Sequence, residues 1–377
     1  MKTKRYNIIL ITGGAGFIGS HTTDYLLSLG YQVRILDNLH RQIHESGKPP
    51  VYLNPKAEFI KGDVTNRKDW QKALKGVEAV IHFAAAVGVG QSMYQIERYV
   101  ADNCLGTALL LDILANEKHT VKKIVVAASM SSFGEGYYFC KKCNLRQQPE
   151  LRKSTNMEKG IWEPLCMCCH AQVIPQPTDE QARLQSPSVY AITKKTQEEL
   201  FLSVGRAYNI PAVSLRFFNA YGPRQSLSNP YNGVAAIFLS RVKNNKAPLI
   251  NEDGQQTRDF VYIKDLVRVI ELALDRKEAN YEVFNVGSGI PTTIDQVAKV
   301  VLELYGSSLL PEITGKFRNF DVRHCFADIT KLKKLLDWQP QISFAQGMKE
   351  VFDWSKKESA NDLVEEAMQE LTQRGLI

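Results

Sequence analysis

Two residues that lie one helical turn apart, Tyr190 and Lys194, are the strongest chemical signal in this sequence of 377 residues. Residues four positions apart share one face of a helix, so the lysine ammonium would lie beside the tyrosine phenol. A free phenol has a pKa near ~10 and is a poor base at neutral pH, but a neighbouring cation lowers that pKa. The pair therefore predicts a proton-transfer site, although this spacing alone occurs by chance in many helices.

A glycine-rich turn near the start of the chain gives the pair a context. Residues 7–11, apolar after Asn7, predict a buried strand. The turn contains Gly13, Gly16 and Gly19, and residues 20–29 have the pattern of an amphipathic helix. Glycines at such positions allow a tight turn, a close approach of the backbone to a pyrophosphate and close packing of helix on strand. The order of strand, glycine turn and helix predicts a dinucleotide-binding site.

An acidic residue favours one dinucleotide over the other. Asp37 ends a second predicted strand, residues 32–36. It follows the glycine turn at roughly the 20-residue distance typical of a carboxylate that binds the ribose 2′-hydroxyl. That carboxylate would repel a 2′-phosphate, so we expect NAD rather than NADP. Arg34 and Arg41 are the nearby residues that would favour NADP.

Strands and helices alternate in roughly the first half of the chain, a pattern that predicts an α/β fold with a Rossmann-type doubly wound parallel sheet. A helix is predicted over about residues 97–116. Binding and catalytic groups should lie at the carboxyl ends of the strands. The further predicted strands are residues 58–64, 79–85, 123–129 and 212–218.

Composition excludes several classes of protein. The net charge of +7 is modest and scattered, and no cluster of basic and aromatic residues predicts a nucleic-acid groove. No apolar run approaches the ~20 residues of a transmembrane helix, so we expect no membrane partner. The chain passes directly from its first residues into the glycine turn, and removal of a signal peptide would destroy that turn. We therefore expect a cytoplasmic protein.

From about residue 7 to about residue 340, the sequence resembles the extended short-chain dehydrogenase/reductase family of NAD-dependent nucleotide-sugar epimerases and dehydratases. The motifs that carry the resemblance are Thr12–His21, Gly62–Val64, His82–Ala85, Asn103–Thr107, Ser129, Tyr190–Lys194, Leu215–Arg224, Arg258–Tyr262 and Phe284–Gly289. The resemblance implies a nucleotide-diphosphate sugar as substrate, a smaller C-terminal substrate lobe and a homodimer.

The resemblance also implies a division of the chain and a set of site residues. Residues 1–218 would form the NAD-binding domain, to which residues 258–287 return. Residues 219–257 and 288–350 would form the substrate lobe, and residues 351–377 a C-terminal helix. The implied catalytic residues are Ser129, Tyr190 and Lys194, with Ser129 preferred to Ser131 and Ser132 for its distance from Gly134. The cofactor-binding residues would be Gly13, Gly16, Phe17, Ile18, Gly19, Asp37, Asn38, Asp63, Val64, Ala84, Ala85, Asn103, Tyr190 and Lys194. The substrate-binding residues would be Val87, Ser129, Asn219, Arg258 and Arg318, and the two arginines suit a diphosphate.

The residues that follow Ser129 reduce the number of reactions that fit this sequence. Family dehydratases carry an Asp-Glu pair there, decarboxylases a glutamate, and 3,5-epimerising relatives a cysteine, whereas this chain has Met130 and Ser131. What remains is oxidation of the sugar, rotation of the keto-sugar and return of the hydride, which is a 4-epimerisation with tightly held, recycled NAD. A net reductase or dehydrogenase is the main alternative, and a non-catalytic nucleotide-sugar or NAD-binding regulator is a third.

The preferred substrate is dTDP-L-rhamnose, because residues 84–94 and a cysteine-rich insert together look like those of family members that act on it. UDP-glucose and UDP-glucuronate are the alternatives. The insert spans about residues 135–184 and is polar and turn-rich, so it could hardly build its own apolar core. Its two Cys-x-x-Cys pairs predict a structural zinc ribbon, with free thiols as the alternative and with Cys168 and His170 as spare ligands. The proposed zinc ligands are Cys140, Cys143, Cys166 and Cys169.

Overall fold

A seven-stranded parallel sheet forms the centre of the computed structural model, which describes residues 5–319 and 321–377. Every pairing between neighbouring strands of this sheet is parallel. In spatial order the strands are Val283–Val286, Ala212–Phe217, Lys123–Ser129, Ala79–His82, Ile8–Thr12, Gln32–Asp37 and Glu58–Lys61. This arrangement confirms the predicted Rossmann-type doubly wound sheet.

The point at which the order of the strands reverses lies between Ile8–Thr12 and Ala79–His82. The chain runs outward from the first of these strands and then returns to its other side. Connections that leave the two strands in opposite directions open a crevice at their carboxyl ends. Gly13 and Phe83 are the residues that directly follow these strands, so the glycine turn borders the crevice.

The sheet is buried because helices cover both of its faces. Side chains alternate along the first strand: Ile9 and Ile11 belong to one apolar cluster, whereas Leu10 belongs to the cluster on the opposite face. Every residue of the strand Lys123–Ser129 is buried. Lys123 compensates the burial of its charge by donating to the carbonyl of Arg276 at 2.9 Å.

The helix predicted over residues 97–116 is present, with one irregularity. Helical structure runs from Ile96 to Asn116, but Val100–Leu105 is a π-helical segment that contains Asn103.

In the described part of the chain, no helix has the length and apolar character needed to cross a membrane. The longer helices are Phe17–Ser28, Arg67–Ala73, Gly106–Asn116, Val189–Ala207, Val234–Lys243, Ile263–Asp275, Ile294–Tyr305, Thr330–Leu336, Phe344–Ser355 and Val364–Gln373.

Beside the large sheet lies a smaller one, built from Asn219–Tyr221, Thr257–Tyr262, Pro291–Thr293 and His324–Cys325. The division of the chain into domains stays a prediction. Of the segment expected to return to the NAD-binding domain, residues 258–287, only Val283–Val286 joins the large sheet, and Thr257–Tyr262 belongs to the small one.

The C-terminal helix expected over residues 351–377 belongs to the domain division and also stays a prediction. Two helices, Phe344–Ser355 and Val364–Gln373, occupy this region. The chain between them is drawn out of helical geometry because other residues bind its polar groups: Asn244 donates to the carbonyl of Ala360 at 2.8 Å, and Arg241 lies 3.2 Å from the carboxylate of Asp362.

The cysteine-rich insert folds as a three-stranded antiparallel sheet with Tyr137–Cys140 in the middle, Leu145–Gln147 on one side and Ile174–Gln176 on the other. Its apolar cluster is small. The buried members are Tyr138, Cys140, Cys166 and Val173. Cysteines thus take a large part in what would otherwise be the hydrophobic core of the insert.

Gly19 is the glycine whose replacement we expect to damage the fold. A Cβ atom there would lie 2.2 Å from the carbonyl oxygen of Gly13, which belongs to the tight turn and cannot move away. Gly19→Ala should therefore destabilise the protein by about 1–3 kcal/mol, measured as a lower midpoint of thermal unfolding. Gly16→Ala is the matched control, because its Cβ would meet that oxygen at 3.4 Å, an ordinary contact. Equal midpoints for the two variants would contradict the packing argument.

Candidate active site

A cleft of about 460 Å³ opens at the carboxyl ends of the central strands. It brings together most of the residues that the sequence singled out. Those that line it are Gly13, Gly16, Phe17, Ile18, Gly19, Asp37, Asn38, Val64, Ala84, Ala85, Val87, Ser129, Tyr190, Lys194 and Asn219. Of the predicted cofactor- and substrate-binding residues, four that the structure describes, Asp63, Asn103, Arg258 and Arg318, lie outside the lining.

The glycine turn is shaped to receive a phosphate group. Gly13 has φ +68°, its N–H donates to the carbonyl of Leu36 at 2.9 Å, and a Cβ there would lie 2.9 Å from the nitrogen of Ala84. The helix that follows begins at Phe17, after Gly16, which as a glycine has no side chain to cap the first amides. Free amides at a helix N-terminus bind anions, so this part of the cleft fits the pyrophosphate of a dinucleotide.

The acidic end of the second strand also fits NAD. Asp37 accepts hydrogen bonds from the backbone N–H groups of Ala15 at 3.0 Å and Leu39 at 2.9 Å, which fix its carboxylate at the edge of the cleft. Arg34 points away from this site, because it donates to Glu58 and to the carbonyl of Ala73, both at 2.8 Å. Arg34 is therefore not available to bind a 2′-phosphate.

Two of the predicted cofactor residues act behind the cleft wall. Asp63 accepts from the side-chain amide of Asn38 at 2.9 Å and so holds a residue that lines the cleft. The buried Asn103 accepts from the N–H of Ala86 at 2.7 Å and donates to the hydroxyl of Thr193 at 2.9 Å. These bonds tie the loop after the fourth strand to the Tyr190 helix, so Asn103 positions the site and is not part of its surface.

The Tyr190 helix, Val189–Ala207, begins where Ser188 caps it by accepting from the N–H of Ala191 at 3.2 Å. The three candidate serines have different environments. Ser129 lies at the end of its strand in the cleft and hydrogen-bonds to Tyr190. Ser131 also lines the cleft and donates to Ser129 at 2.9 Å, whereas Ser132 is buried and donates to the carbonyl of Ala191 at 3.1 Å.

Lys194 is buried and its ammonium is held from two sides. Nζ donates to the carbonyl of Ala127 at 2.8 Å and to Oε1 of Gln197 at 2.9 Å. A lysine ammonium has three hydrogens, so one is left for a group in the cleft. The amide of the fully buried Gln197 in turn donates to the hydroxyl of Thr107 at 2.8 Å.

This chain of hydrogen bonds continues to the glycine turn. The hydroxyl hydrogen of Thr107 goes to the carbonyl of Asn103 at 2.6 Å, so Nε2 of His82 must be the donor in its 3.1 Å contact with Thr107. Nδ1 of His82 then accepts from Thr12 at 2.8 Å, and Thr12 accepts from the N–H of Ala84 at 3.1 Å. The network connects Lys194 to both strands that border the crevice.

Burial acts in opposite directions on the two candidate catalytic groups. It raises the pKa of Tyr190 to about 12, against which the hydrogen bond with Ser129 works, and it lowers the pKa of Lys194 to about 7. Burial, followed by repulsion from Lys194, lowers the pKa of His82 to about 3, so this imidazole is neutral at physiological pH. An ammonium on Lys194 favours the phenolate of Tyr190, so the hydrogen bonds that keep Lys194 charged support proton transfer.

The carboxylates that line the cleft are Asp37 and Asp102, and Asp102 lies 3.6 Å from the guanidinium of Arg98. Among the described residues of the lining there is no glutamate and no cysteine. Met130 and Ser131 occupy the wall next to Ser129.

The predicted substrate residues are divided between the cleft and the neighbouring lobe. Val87 and Asn219 line the cleft, and the buried Oδ1 atom of Asn219 has no hydrogen-bond partner among the residues described. Arg258 and Arg318 both bind the carboxylate of Asp321, at 2.9 Å and 2.6 Å. Arg318 also lies near the short helix Val89–Ser92, since its Nη1 would be 3.7 Å from a Cβ on Gly90.

The four predicted zinc ligands form one cluster, with all four sulfur atoms within 4.8 Å of one another. The sulfurs of Cys140 and Cys169 are 3.6 Å apart, and those of Cys166 and Cys143 are 3.8 Å apart. These distances are too long for disulfides. They match the edge of roughly 3.8 Å that a tetrahedron with Zn–S bonds near 2.3 Å requires. Cys168 is exposed and lies outside the cluster.

Comparison with known proteins identifies the family. Residues 9–155 match the model of the NAD dependent epimerase/dehydratase family, and residues 170–351 match the model of GDP-mannose 4,6 dehydratase. A dTDP-L-rhamnose 4-epimerase of Burkholderia thailandensis is 35% identical over 93% of this chain and 95% of that protein. The chain belongs to the NAD-dependent epimerase/dehydratase family. A UDP-glucuronate 4-epimerase of Thermodesulfobacterium geofontis is 30% identical over 92% of this chain and 96% of that protein.

Solved structures of sugar-nucleotide epimerases in this family share the fold. The UDP-glucose 4-epimerase of Thermotoga maritima with UDP-glucose has a TM-score of 0.75 and 30% identity, covering 93% of this chain and 99% of that one. The UDP-glucuronic acid 4-epimerase of Bacillus cereus, in complex with UDP-glucuronic acid and NAD, has a TM-score of 0.73 and 27% identity, covering 93% and 99%. The prediction of an enzyme of the NAD-dependent sugar-nucleotide epimerase class is confirmed.

The sequence did not point to the residues that support Lys194 in this epimerase/dehydratase site. Gln197, Thr107 and His82 lie in different segments, and each has an ordinary structural interpretation by itself. The one available signal was Gln197, a polar residue three positions after Lys194 and therefore within reach of it on a helix. Its burial, which gives the side chain its importance, depends on the tertiary packing.

We expect Gln197→Leu to alter the pH dependence of turnover. The variant removes one of two acceptors of the Lys194 ammonium, which lowers the pKa of Lys194, so the ammonium is lost at a lower pH and the alkaline limb of the kcat profile moves to lower pH. At neutral pH kcat should fall about tenfold, because a hydrogen bond to a charged group contributes roughly 1.5–3 kcal/mol. Glu199→Gln, an exposed change on the same helix, is the control. An unchanged profile for Gln197→Leu would rule out this support of Lys194.

Proposed function

We propose that this chain is an NAD-dependent nucleotide-sugar 4-epimerase that acts on dTDP-L-rhamnose. The composition of the cleft is the observation that carries the reaction class. Ser129, Tyr190 and Lys194 line it together, and its described lining offers neither the glutamate of a dehydratase or decarboxylase nor the cysteine of a 3,5-epimerising relative. This lining therefore favours return of the hydride to the keto-sugar over elimination, decarboxylation or 3,5-epimerisation.

The residues present fit NAD, because the glycine turn and Asp37 suit its pyrophosphate and ribose. NAD supplies a reversible hydride acceptor when it is bound. In the proposed reaction Tyr190, as phenolate, would take the proton of the sugar C4 hydroxyl as C4 loses its hydride, while Ser129 hydrogen-bonds to the same oxygen. The ammonium of Lys194 stabilises the phenolate. After the keto-sugar has rotated in the cleft, the hydride would return to the other face of C4 and Tyr190 would return the proton to the C4 oxygen.

The choice of dTDP-L-rhamnose is supported by the similarity to the relative named for that substrate, at 35% identity. UDP-glucose and UDP-glucuronate are the alternatives, since relatives named for UDP sugars cover the chain as completely. In the proposal, Arg258 and Arg318 bind the diphosphate and Asn219 offers its side-chain amide to the substrate. A net reductase remains the second candidate reaction.

Incubation with dTDP-L-rhamnose, UDP-glucose and UDP-glucuronate, followed by separation of the products, tests the proposal. We expect the dTDP sugar to give a mixture of C4 epimers without added NADH. Tyr190→Phe should lower kcat by about 10²–10⁴-fold, the usual contribution of an acid–base group, and should keep its bound NAD. Tyr208→Phe, at the exposed end of the same helix, is the control. Stoichiometric consumption of NADH would identify a reductase instead.

We further propose that Cys140, Cys143, Cys166 and Cys169 hold a structural zinc ion. Their sulfur–sulfur distances and the small apolar cluster of the insert support this assignment. Four thiolates would complete the coordination of the metal, so the ion would stabilise the insert and leave no open position for a reaction. Cross-linking by the metal would compensate for the missing core.

Elemental analysis of protein purified without chelator should give about one zinc ion per chain. Cys166→Ser should lose the metal and have a lower midpoint of thermal unfolding. Cys168→Ser, the matched control outside the cluster, should keep the metal and the midpoint of the wild type. Removal of the metal should weaken the binding of the nucleotide sugar more than that of NAD, because the insert contacts the substrate lobe. Absence of stoichiometric zinc would eliminate the proposal.

A cytoplasmic homodimer is also part of the proposal. Its support is a group of exposed apolar side chains on two neighbouring helical segments of the cofactor domain. Burial of these side chains between two copies would remove them from water. They are Ile96, Val100, Leu105 and Ile192.

A further inference from the structure

The cysteine-rich insert is joined to the substrate lobe by a buried cluster of charged side chains. The cluster is nearly closed to solvent at its centre, where the side chains of Arg152, Glu135, Glu252 and Arg323 are between 0% and 4% exposed. From the insert come Glu135, Arg152 and Glu163, and from the lobe come Glu252, Asp253, Asp321 and Arg323.

Arg152 makes the central contact of this cluster. Its guanidinium donates to the carboxylate of Glu252 through two nitrogens, at 2.7 Å and 3.0 Å, and Nε lies 3.3 Å from Glu135. Nη2 also donates to the backbone carbonyl of Asp321 at 3.1 Å. The planar guanidinium therefore fixes both the carboxylate of Glu252 and the backbone at Asp321, a geometry that a lysine cannot reproduce.

Asp321 carries this constraint to the two arginines assigned to the diphosphate. One carboxylate oxygen accepts from Arg258 at 2.9 Å and the other accepts from Arg318 at 2.6 Å. Burial alone would raise the pKa of Asp321, but the charges of Arg318 and Arg258 hold that pKa well below its usual range. The ionised carboxylate thus sets the distance between the two guanidinium groups.

Arg323 provides a second connection. Its backbone N–H donates to Glu135 at 2.8 Å, and its Nε donates to Glu163 at 2.8 Å, so the insert holds both its main chain and its side chain. The carbonyl of Arg323 accepts from Arg258 at 3.1 Å. Arg258 therefore rests on a backbone segment that the insert keeps in place.

We infer that Arg152 is a positioning residue for the nucleotide diphosphate: it holds residues 321–323, and through them Arg258 and Arg318, in the arrangement that binds two phosphates. The inference rests on the proposed function, because it takes these two arginines as the diphosphate ligands. The residues proposed for proton transfer and the glycine turn belong to other elements of the fold. The loss of Arg152 should therefore lower the affinity for the substrate and leave NAD binding and kcat unchanged.

The test compares Arg152→Gln and Arg152→Lys with the wild type, by calorimetric titration with dTDP and UDP and by steady-state kinetics on the accepted sugar nucleotide. Arg152→Gln should weaken binding of the nucleoside diphosphate and raise KM by about tenfold or more, with kcat and NAD content close to wild type. Arg152→Lys keeps the charge but not the paired contacts, so its affinity should be intermediate. Arg183→Gln is the matched control, because Arg183 forms an exposed ion pair with Glu150 in the same insert.

The outcomes separate the inference from the function on which it rests. A wild-type protein that binds neither dTDP nor UDP would refute the proposed function and the inference with it. Wild-type binding with an unchanged dissociation constant for Arg152→Gln would refute the inference alone. If Arg152→Gln does not fold, Arg152→Lys decides: an unchanged KM, or a fall in kcat and NAD content equal to the loss of affinity, would overturn the positioning role.

Discussion

The burial of the Lys194 ammonium is the constraint on which the proposed proton-transfer site depends. A charge that is removed from water must be compensated by hydrogen bonds, and here the compensation comes from the carbonyl of Ala127 and the amide of Gln197. The side-chain amide of Gln197 is held in this orientation because it donates a hydrogen bond to Thr107, and Thr107 in turn contacts His82. The environment of one lysine therefore fixes the relative positions of the Tyr190 helix and the strands that border the cleft.

The substrate side uses the same physical device at larger scale. Arg152, Glu135, Glu252 and Arg323 are buried together and their charges compensate one another, so none can move without leaving an unpaired charge in a dry environment. Buried ion pairs often contribute little net stability, so we expect this cluster to act by fixing one geometry. The insert has only a small apolar core, and the cluster is suited to hold it in a defined position against the lobe.

Much of the catalytic half could be predicted from local sequence. The strand Lys123–Ser129 was predicted with its observed limits, and the glycine turn, Asp37, Ser129 and Tyr190 all line the predicted cleft. Such features are readable because a run of apolar residues, a glycine spacing or a helical spacing acts over a few residues.

Features that depend on contacts between distant segments could not be read in this way. In the C-terminal region, Arg241 and Asn244 bind the chain between two helices. The side-chain amide of Asn103, a predicted cofactor residue, bonds to Ala86 and Thr193. In both cases hydrogen-bond partners from other segments of the chain determine the local structure.

The sequence by itself determined the parallel sheet, the position of the glycine turn, the pair Tyr190 and Lys194 that we propose for proton transfer, and the set of four cysteines. Only the tertiary structure decided that Gln197 accepts a hydrogen bond from Lys194. It alone also decided that Arg258 and Arg318 both bind the carboxylate of Asp321. The reason is physical. Whether a polar side chain is buried, and which group compensates it, depends on residues that approach only when the whole chain has folded.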